Sequence, residues 1–380
     1  MQENNSKIAL FTCHNDPNYG SMLQAFALAE AIRICGKRAE YISYIAAKAP
    51  HKGIVKALSN IKRHLLTFVG KNPPPSEFDF FKSREFRTTM QAYKRFHDTY
   101  IPCSAQIYYA DTIKEKLNVS NYCIYMVGSD QLWSPNLYRP TKPYFLDVAD
   151  FRNKRAYAPS FGTTEFTDEY KQLLKEKLKS FDYLSCRELV NSRMLSNLLG
   201  KEVKHVLDPT LLLTPNEWNK IATKPTIEGK YILAYILGEK EIIAEFAESL
   251  SKYKGIPVYY IVTRPKYLNK TNTLTGVGPD DFLGLVKDAS YVVTDSYHGC
   301  LFSINYNVNF YAFGKRQGSV NTLDNVRIIE MLNMFGIHSR FIDDENSTGF
   351  LNDIDYSAVN SIVSDMRKES LEYLNKCVEL

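Results

Sequence analysis

The chain has 380 residues, 44% hydrophobic and 23% charged, with a formal net charge of +5. That length suits two cores of ordinary size, and the composition excludes a disordered chain. The mild positive balance admits anionic ligands such as phosphates but is too small for a nucleic-acid footprint, so no nucleic-acid partner is expected.

The first apolar run, Ile8 to Thr12, reads as a buried strand, and His14 to Gly20 as a turn-rich loop. Apolar residues at helical spacing run from Ser21 to Cys35, with Gly36 as a stop, and Glu40 to Tyr44 reads as the next strand. This is the opening of a Rossmann-like unit, but it has no G-x-G-x-x-G, which disfavours a dinucleotide-dependent dehydrogenase. Residues 51–100 carry ten Lys/Arg against four Asp/Glu. Within them, 54–69 reads either as a basic amphipathic helix for an anionic membrane surface or as an ordinary helical insertion; the insertion is favoured.

Strands are expected at Tyr122–Val127, Lys154–Ala158, Tyr183–Ser185 and Lys204–Leu207, with helices at Asp168–Ser180 and 189–199. The pattern restarts after Thr214–Gly229. Strands follow at Tyr231–Ile236, Val258–Val262, Tyr291–Thr294 and Asn309–Phe313. Helices are expected at Glu239–Tyr253, Asp280–Lys287, 300–306, 324–335 and Tyr356–Cys377. The expected fold is α/β, two Rossmann-like domains facing across a cleft. The first domain is expected over 1–214 and the second over 215–345. Residues 346–380 form a helix expected to pack back on the first domain.

The seven Cys are scattered, with no C-x-x-C pair. No cluster of His, Cys or carboxylates shows metal-ligand spacing, so no metal is expected, and a reducing cytoplasm fits. Residues Met1 to Ser6 are polar, and no apolar run reaches the roughly 20 residues of a membrane span. A cytoplasmic protein is expected, free or peripheral at the inner face of the membrane.

Six loop segments, Asn18 to Leu28, Val127 to Trp133, Ala156 to Gly162, Leu184 to Glu188, Leu207 to Leu211 and Val293 to Gly299, together resemble the polysaccharide pyruvyl transferase family. The resemblance spans residues 7 to about 315 and implies a fold of the glycosyltransferase-B type. It also implies phosphoenolpyruvate as donor substrate, with no cofactor. The implied acceptor is a sugar of a surface polysaccharide, or an oligosaccharide on a polyprenyl-linked precursor. The product would be a cyclic ketal, with phosphate released. One departure stands out: many members carry an Arg two residues before the His of the last segment, and here that place is Ser296. Lys315 and Arg316 are the candidate substitutes.

The resemblance makes His298 the leading acid/base residue, against a His that merely packs in its turn. Arg187 becomes the anion clamp, against a surface salt bridge with Glu188; Glu188 would orient it or favour a helix start. Asp130 could take a proton from the acceptor hydroxyl, yet it or Ser129 would equally suit a helix N-cap. Asp295 is the expected support for the His298 ring. Asn18, Tyr19 and Gly20 are expected to shape the cleft wall, with Ser129, Ser160 and Ser296 as further substrate-side positions. Trp133 is weighed between stacking on a sugar and the core. Two rival functions remain: a glycosyltransferase of the same shape using a nucleotide sugar, and a non-catalytic sugar-binding member.

Overall fold

The computed structural model describes residues 7–45, 80–135, 142–238, 240–314, 325–342, 350 and 352–380. In the first half the strands are β1 (Lys7–Phe11), β2 (Arg38–Tyr41), β3 (Tyr44–Ile45), β4 (Tyr108–Tyr109), β5 (Ile124–Val127), β6 (Lys154–Ala156), β7 (Phe181–Tyr183), β8 (Ser185–Cys186) and β9 (Lys204–His205). The helices of more than four residues there are α1 (Tyr19–Ile34), α2 (Arg84–Tyr100), α3 (Asp168–Leu178) and α4 (Leu189–Leu199). In the second half the strands are β10 (Ile232–Tyr235), β11 (Val258–Ile261), β12 (Thr273–Leu274), β13 (Tyr291–Thr294), β14 (Asn309–Phe313) and β15 (Phe341–Ile342). The helices are α5 (Glu241–Lys254), α6 (Pro279–Lys287), α7 (Tyr297–Asn305), α8 (Val326–Met334) and α9 (Tyr356–Val378).

Two parallel sheets organise these elements. The first has strand order β2-β1-β5-β6-β7 and the second β12-β11-β10-β13-β14-β15. The central strands are apolar on both faces: Ile8, Ala9, Leu10 and Ile124 are fully buried, as are Ile232, Leu233 and Val292. Continuous apolar runs of this kind are what a parallel sheet covered by helices requires. The fold is therefore α/β with two Rossmann-like halves, the glycosyltransferase-B arrangement.

The expected strand at Lys204–Leu207 is shorter. It ends at His205 and pairs with β8 outside the five-stranded sheet, because Asp208 and Pro209 open a tight turn. The expected strand at Glu40–Tyr44 divides into β2 and β3, and β3 pairs with β4. Helix α2 starts at Ser83, whose hydroxyl accepts from the Phe86 N–H, and buries Ala92, Tyr93 and Phe96. The basic segment 54–69 lies outside the described residues. No helix among the described residues is long and apolar enough to cross a membrane.

Contacts between the halves converge near Tyr19. Its ring stacks on Phe282 at 4.6 Å, and its hydroxyl donates to the Val277 carbonyl at 3.0 Å. Arg95 on α2 makes a forked pair with Asp280 at 2.8 and 2.9 Å. Helix α9 crosses back from the second half: Ser370 accepts from the Leu207 N–H at 3.0 Å, and Arg367 donates to the Leu211 carbonyl at 2.6 Å.

Candidate functional site

The motif loops all follow the carboxyl ends of parallel strands, where open α/β sheets place their ligands. From the second half comes the turn after β13. Ser296 caps α7, its hydroxyl accepting from the Gly299 N–H at 3.2 Å, so Tyr297 and His298 occupy the first helical turn. From the first half comes Asn18, which caps α1 by accepting from the Ser21 N–H at 3.2 Å and sets Gly20 in that helix's first turn. The two helix starts meet. A Cβ built on Gly20 would lie 2.1 Å from His298 Nδ1, so only glycine lets the imidazole pack this closely.

His298 Nε2 faces Asp208 Oδ2 at 3.5 Å, and the same oxygen accepts from Arg187 Nη1 at 2.8 Å. The other Asp208 oxygen accepts from the Thr210 N–H and hydroxyl at 3.0 and 2.8 Å. Burial opposes ionisation of Asp208, yet His298, Arg187 and Thr210 outweigh it and hold the carboxyl well below the usual range. The carboxylate that faces His298 is thus Asp208. Asp295, expected in that role, sits at the end of β13 and accepts from the Leu237 and Gly238 N–H groups at 2.7 and 2.6 Å.

Arg187 is buried, with its guanidinium 4.4 Å from the Tyr297 ring centroid. Burial disfavours its charge, but Tyr297, Asp208, Glu188 and Asp130 more than restore it and raise its pKa. Arg187 Nε and Nη2, together with His298 Nε2, make no hydrogen bond among the described residues. Buried donors left in this state carry a desolvation cost that an acceptor would relieve. Glu188 lies 3.6 Å from Arg187 Nε and otherwise secures its own loop. It accepts from the Ser160 hydroxyl, and from the Phe161 N–H and the Asn191 amide, each at 3.5 Å.

A second guanidinium completes the group. Arg327 on α8 is buried and lies 5.5 Å from the same Tyr297 ring. With its amide in the orientation its neighbours require, Gln131 accepts from Arg327 Nε at 2.9 Å. Burial and then repulsion from Arg187 lower the Arg327 pKa. Next to Arg327 in the fold, Glu330 caps α4 across the halves, accepting from the Leu189 N–H and from the Val190 N–H at 3.2 Å.

Asp130 follows β5 with a left-handed backbone, φ 78°. It accepts from the Ser21 hydroxyl at 3.0 Å and the Gln131 N–H at 2.8 Å. Burial raises its pKa, but Arg187, His298 and Arg327 prevail and the net shift is downward. Ser129 is buried and donates its hydroxyl to the Ala158 carbonyl at 2.7 Å. Trp133 is in the core, its indole N–H donating to the Tyr144 carbonyl at 2.9 Å.

The structure thus brings together Asp130, Arg187, Glu188, Ser160, His298 and Gly20. It places Ser296 as a helix cap and Tyr19 between the halves. Lys315 and Arg316 lie outside the described residues; the described guanidinium beside Arg187 is Arg327. Sequence reasoning missed Asp208, although it stands in one of the six segments. It also missed Arg327, which stands in none.

A family model described as polysaccharide pyruvyl transferase matches residues 18–315. No curated protein matches the chain. Among solved structures the chain is similar to a candidate UDP-N-acetylglucosamine 2-epimerase from Listeria monocytogenes, at 12% identity over 96% of each chain with TM-score 0.47. It is similar to a UDP-glucosyltransferase from Polygonum tinctorium at 11% identity over 100% of each chain, TM-score 0.43. It is also similar to the glycosyltransferase SnogD from Streptomyces nogalater at 11% identity, over 96% of this chain and 95% of that one, TM-score 0.43. None of these likenesses speaks to substrate. The family match is different in kind: it covers most of the chain and takes in Gly20, Asp130, Arg187, Asp208 and His298, and the chain belongs to the polysaccharide pyruvyl transferase family.

Proposed function

We propose that the chain moves the pyruvyl group of phosphoenolpyruvate onto two hydroxyls of a sugar, in a surface polysaccharide or its lipid-linked oligosaccharide precursor. The observation that carries this reading is the set of buried ring and guanidinium nitrogens that make no hydrogen bond among the described residues, Arg187 Nε and Nη2 and His298 Nε2, beside the second guanidinium of Arg327. A small, highly charged anion with a carboxylate and a phosphate would satisfy them. Two buried guanidiniums that repel each other bind such a dianion better than either would alone.

In this reading His298 gives a proton from Nε2 to the enol methylene. Negative charge on Asp208 at 3.5 Å would pair with the imidazolium before transfer. Positive charge then develops on the central carbon, and the first sugar hydroxyl attacks it. The bond from that carbon to the phosphate oxygen breaks, and the second hydroxyl closes the ketal. Of the two hydroxyl protons, one returns to His298 and the other leaves on phosphate. Asp130, ionised and below the usual range, is a weak base. Its stronger contribution is fixed negative charge facing Arg187, Arg327 and His298, with hydrogen-bonding capacity for the acceptor. Asp208 is a positioning residue for both His298 and Arg187. No residue in this sequence of steps calls for a cofactor.

Calorimetric titration of the full chain with phosphoenolpyruvate tests the donor assignment. Wild type is expected to bind, and Arg187→Ala to bind at least tenfold more weakly. Binding of a uridine or guanosine diphosphate sugar, with none of phosphoenolpyruvate, would overturn the assignment in favour of glycosyl transfer.

A further inference from the structure

A second polar cluster lies in the first half, and the proposed chemistry does not use it. His14 follows β1, His97 lies in the last turn of α2, and Cys103 follows that helix in a bridge to Tyr41. His14 Nδ1 is 3.1 Å from His97 Nε2, and Cys103 Sγ is 3.6 Å from each. All three ligand atoms lie within 4.8 Å of one another.

These separations match a tetrahedral metal centre. With zinc–nitrogen bonds of about 2.05 Å and a zinc–sulfur bond of about 2.3 Å, tetrahedral angles put nitrogens about 3.3 Å apart and nitrogen about 3.5 Å from sulfur. The outer ring nitrogen of His97 is also engaged: Nδ1 faces Asp98 Oδ1 at 3.4 Å. A carboxylate or carbonyl on the far nitrogen of a ligating His fixes its tautomer and aims its lone pair. The two rings stack at 5.4 Å, and the His14 ring also lies against Tyr41. A plain His–His hydrogen bond would need two of these groups, whereas three converge.

The geometry points to a zinc site formed by His14, His97 and Cys103, with a fourth position for solvent. On binding, the Cys103 thiol loses its proton to solvent and the thiolate joins two neutral imidazoles on the cation. The metal is a positioning ion. It would clamp the loop that leads from His14 to Gly20 onto α2, which Arg95 in turn ties to Asp280 in the second half. It thereby supports the contact between Gly20 and His298 without touching substrate.

The test uses tag-free full-length protein, stripped with chelator and titrated with cobalt(II) and zinc(II). Wild type is expected to take one equivalent of cobalt with a thiolate-to-cobalt charge-transfer band, which zinc then abolishes. Cys103→Ser should lose that band and bind at least a hundredfold more weakly, while Cys13→Ser, changing the neighbouring thiol, keeps both. His97→Gln should keep the band at reduced affinity, which guards against a folding defect in Cys103→Ser. Zinc should raise the melting temperature of wild type and leave Cys103→Ser unmoved. Three results would each overturn the proposal: no tight equivalent in folded wild type, an unchanged band in Cys103→Ser, or loss of the band in Cys13→Ser alone.

Discussion

Gly20 and His298 begin two helices from opposite halves of the molecule, and they touch so closely that a Cβ on Gly20 would fall 2.1 Å from the imidazole Nδ1. The imidazole cannot yield without leaving Asp208. Gly20→Ala is therefore expected to keep the fold and lower kcat about a hundredfold, the scale on which a misplacement near 1 Å acts. Steady-state kinetics with a matched circular dichroism spectrum would check it; unchanged kcat would show that the ring has room to move.

Arg327 faces the Tyr297 ring and Gln131 but stands outside the residues matched to the family. If it shares the donor anion with Arg187, Arg327→Gln should raise KM for phosphoenolpyruvate about 10- to 100-fold, the range of one lost hydrogen bond to a charged group. The effect on KM for the sugar should be small. A change confined to the acceptor would move Arg327 to the other substrate.

Asp208 is buried and pairs with both Arg187 and His298. Asp208→Asn should cost about 3–5 kcal/mol, because it leaves buried positive charge uncompensated. The pH dependence follows from the depressed carboxyl. Its stabilising contribution is fully present above the unfolded value of about 3.9 and is lost as pH falls through the lower folded value. The gap in melting temperature between wild type and Asp208→Asn should therefore hold between about pH 7 and about pH 5 and narrow below about pH 4. A gap that widened in acid would contradict an ionised Asp208.

Ser370 on α9 accepts from the buried Leu207 N–H, next to Asp208 in the chain. Ser370→Ala leaves that donor unpaired and should destabilise the protein by about 1–3 kcal/mol in urea unfolding. Activity at full folding should fall less than for Asp208→Asn. Equal losses of activity would mean that the Leu207–Asp208 turn depends on this one bond for its geometry.

Much of the fold could be read from local pattern, because parallel strands buried on both faces are continuous apolar runs and their helices stop at residues such as Gly36 and Gly200. The short strands were harder. β8 and β9 have two residues each, and only their pairing distinguishes them from loop. In the site, His298, Arg187 and Asp130 stood out through the loop segments after strand ends. Asp208 stands in such a segment too, but Asp295 is nearer to His298 in the chain. Chain proximity misled here, because the turn aims Asp295 at the Leu237 and Gly238 amides. Arg327 had no local signal: a helix Arg is ordinary until the fold buries it. His14 and His97 are 83 residues apart, so no spacing rule could join them with Cys103.

In the proposed reaction, the buried donors around His298 and Arg187 hold phosphoenolpyruvate while a sugar takes its pyruvyl group. The most direct measurement is phosphate release from phosphoenolpyruvate with and without a panel of galactose-, mannose- and glucose-containing acceptors, free and lipid-linked, for wild type and His298→Ala. Release is expected to depend on one acceptor, to match ketal formation one for one, and to disappear in folded His298→Ala. Equal acceptor-dependent release by His298→Ala, or wild type that binds a nucleotide sugar and not phosphoenolpyruvate, would contradict it.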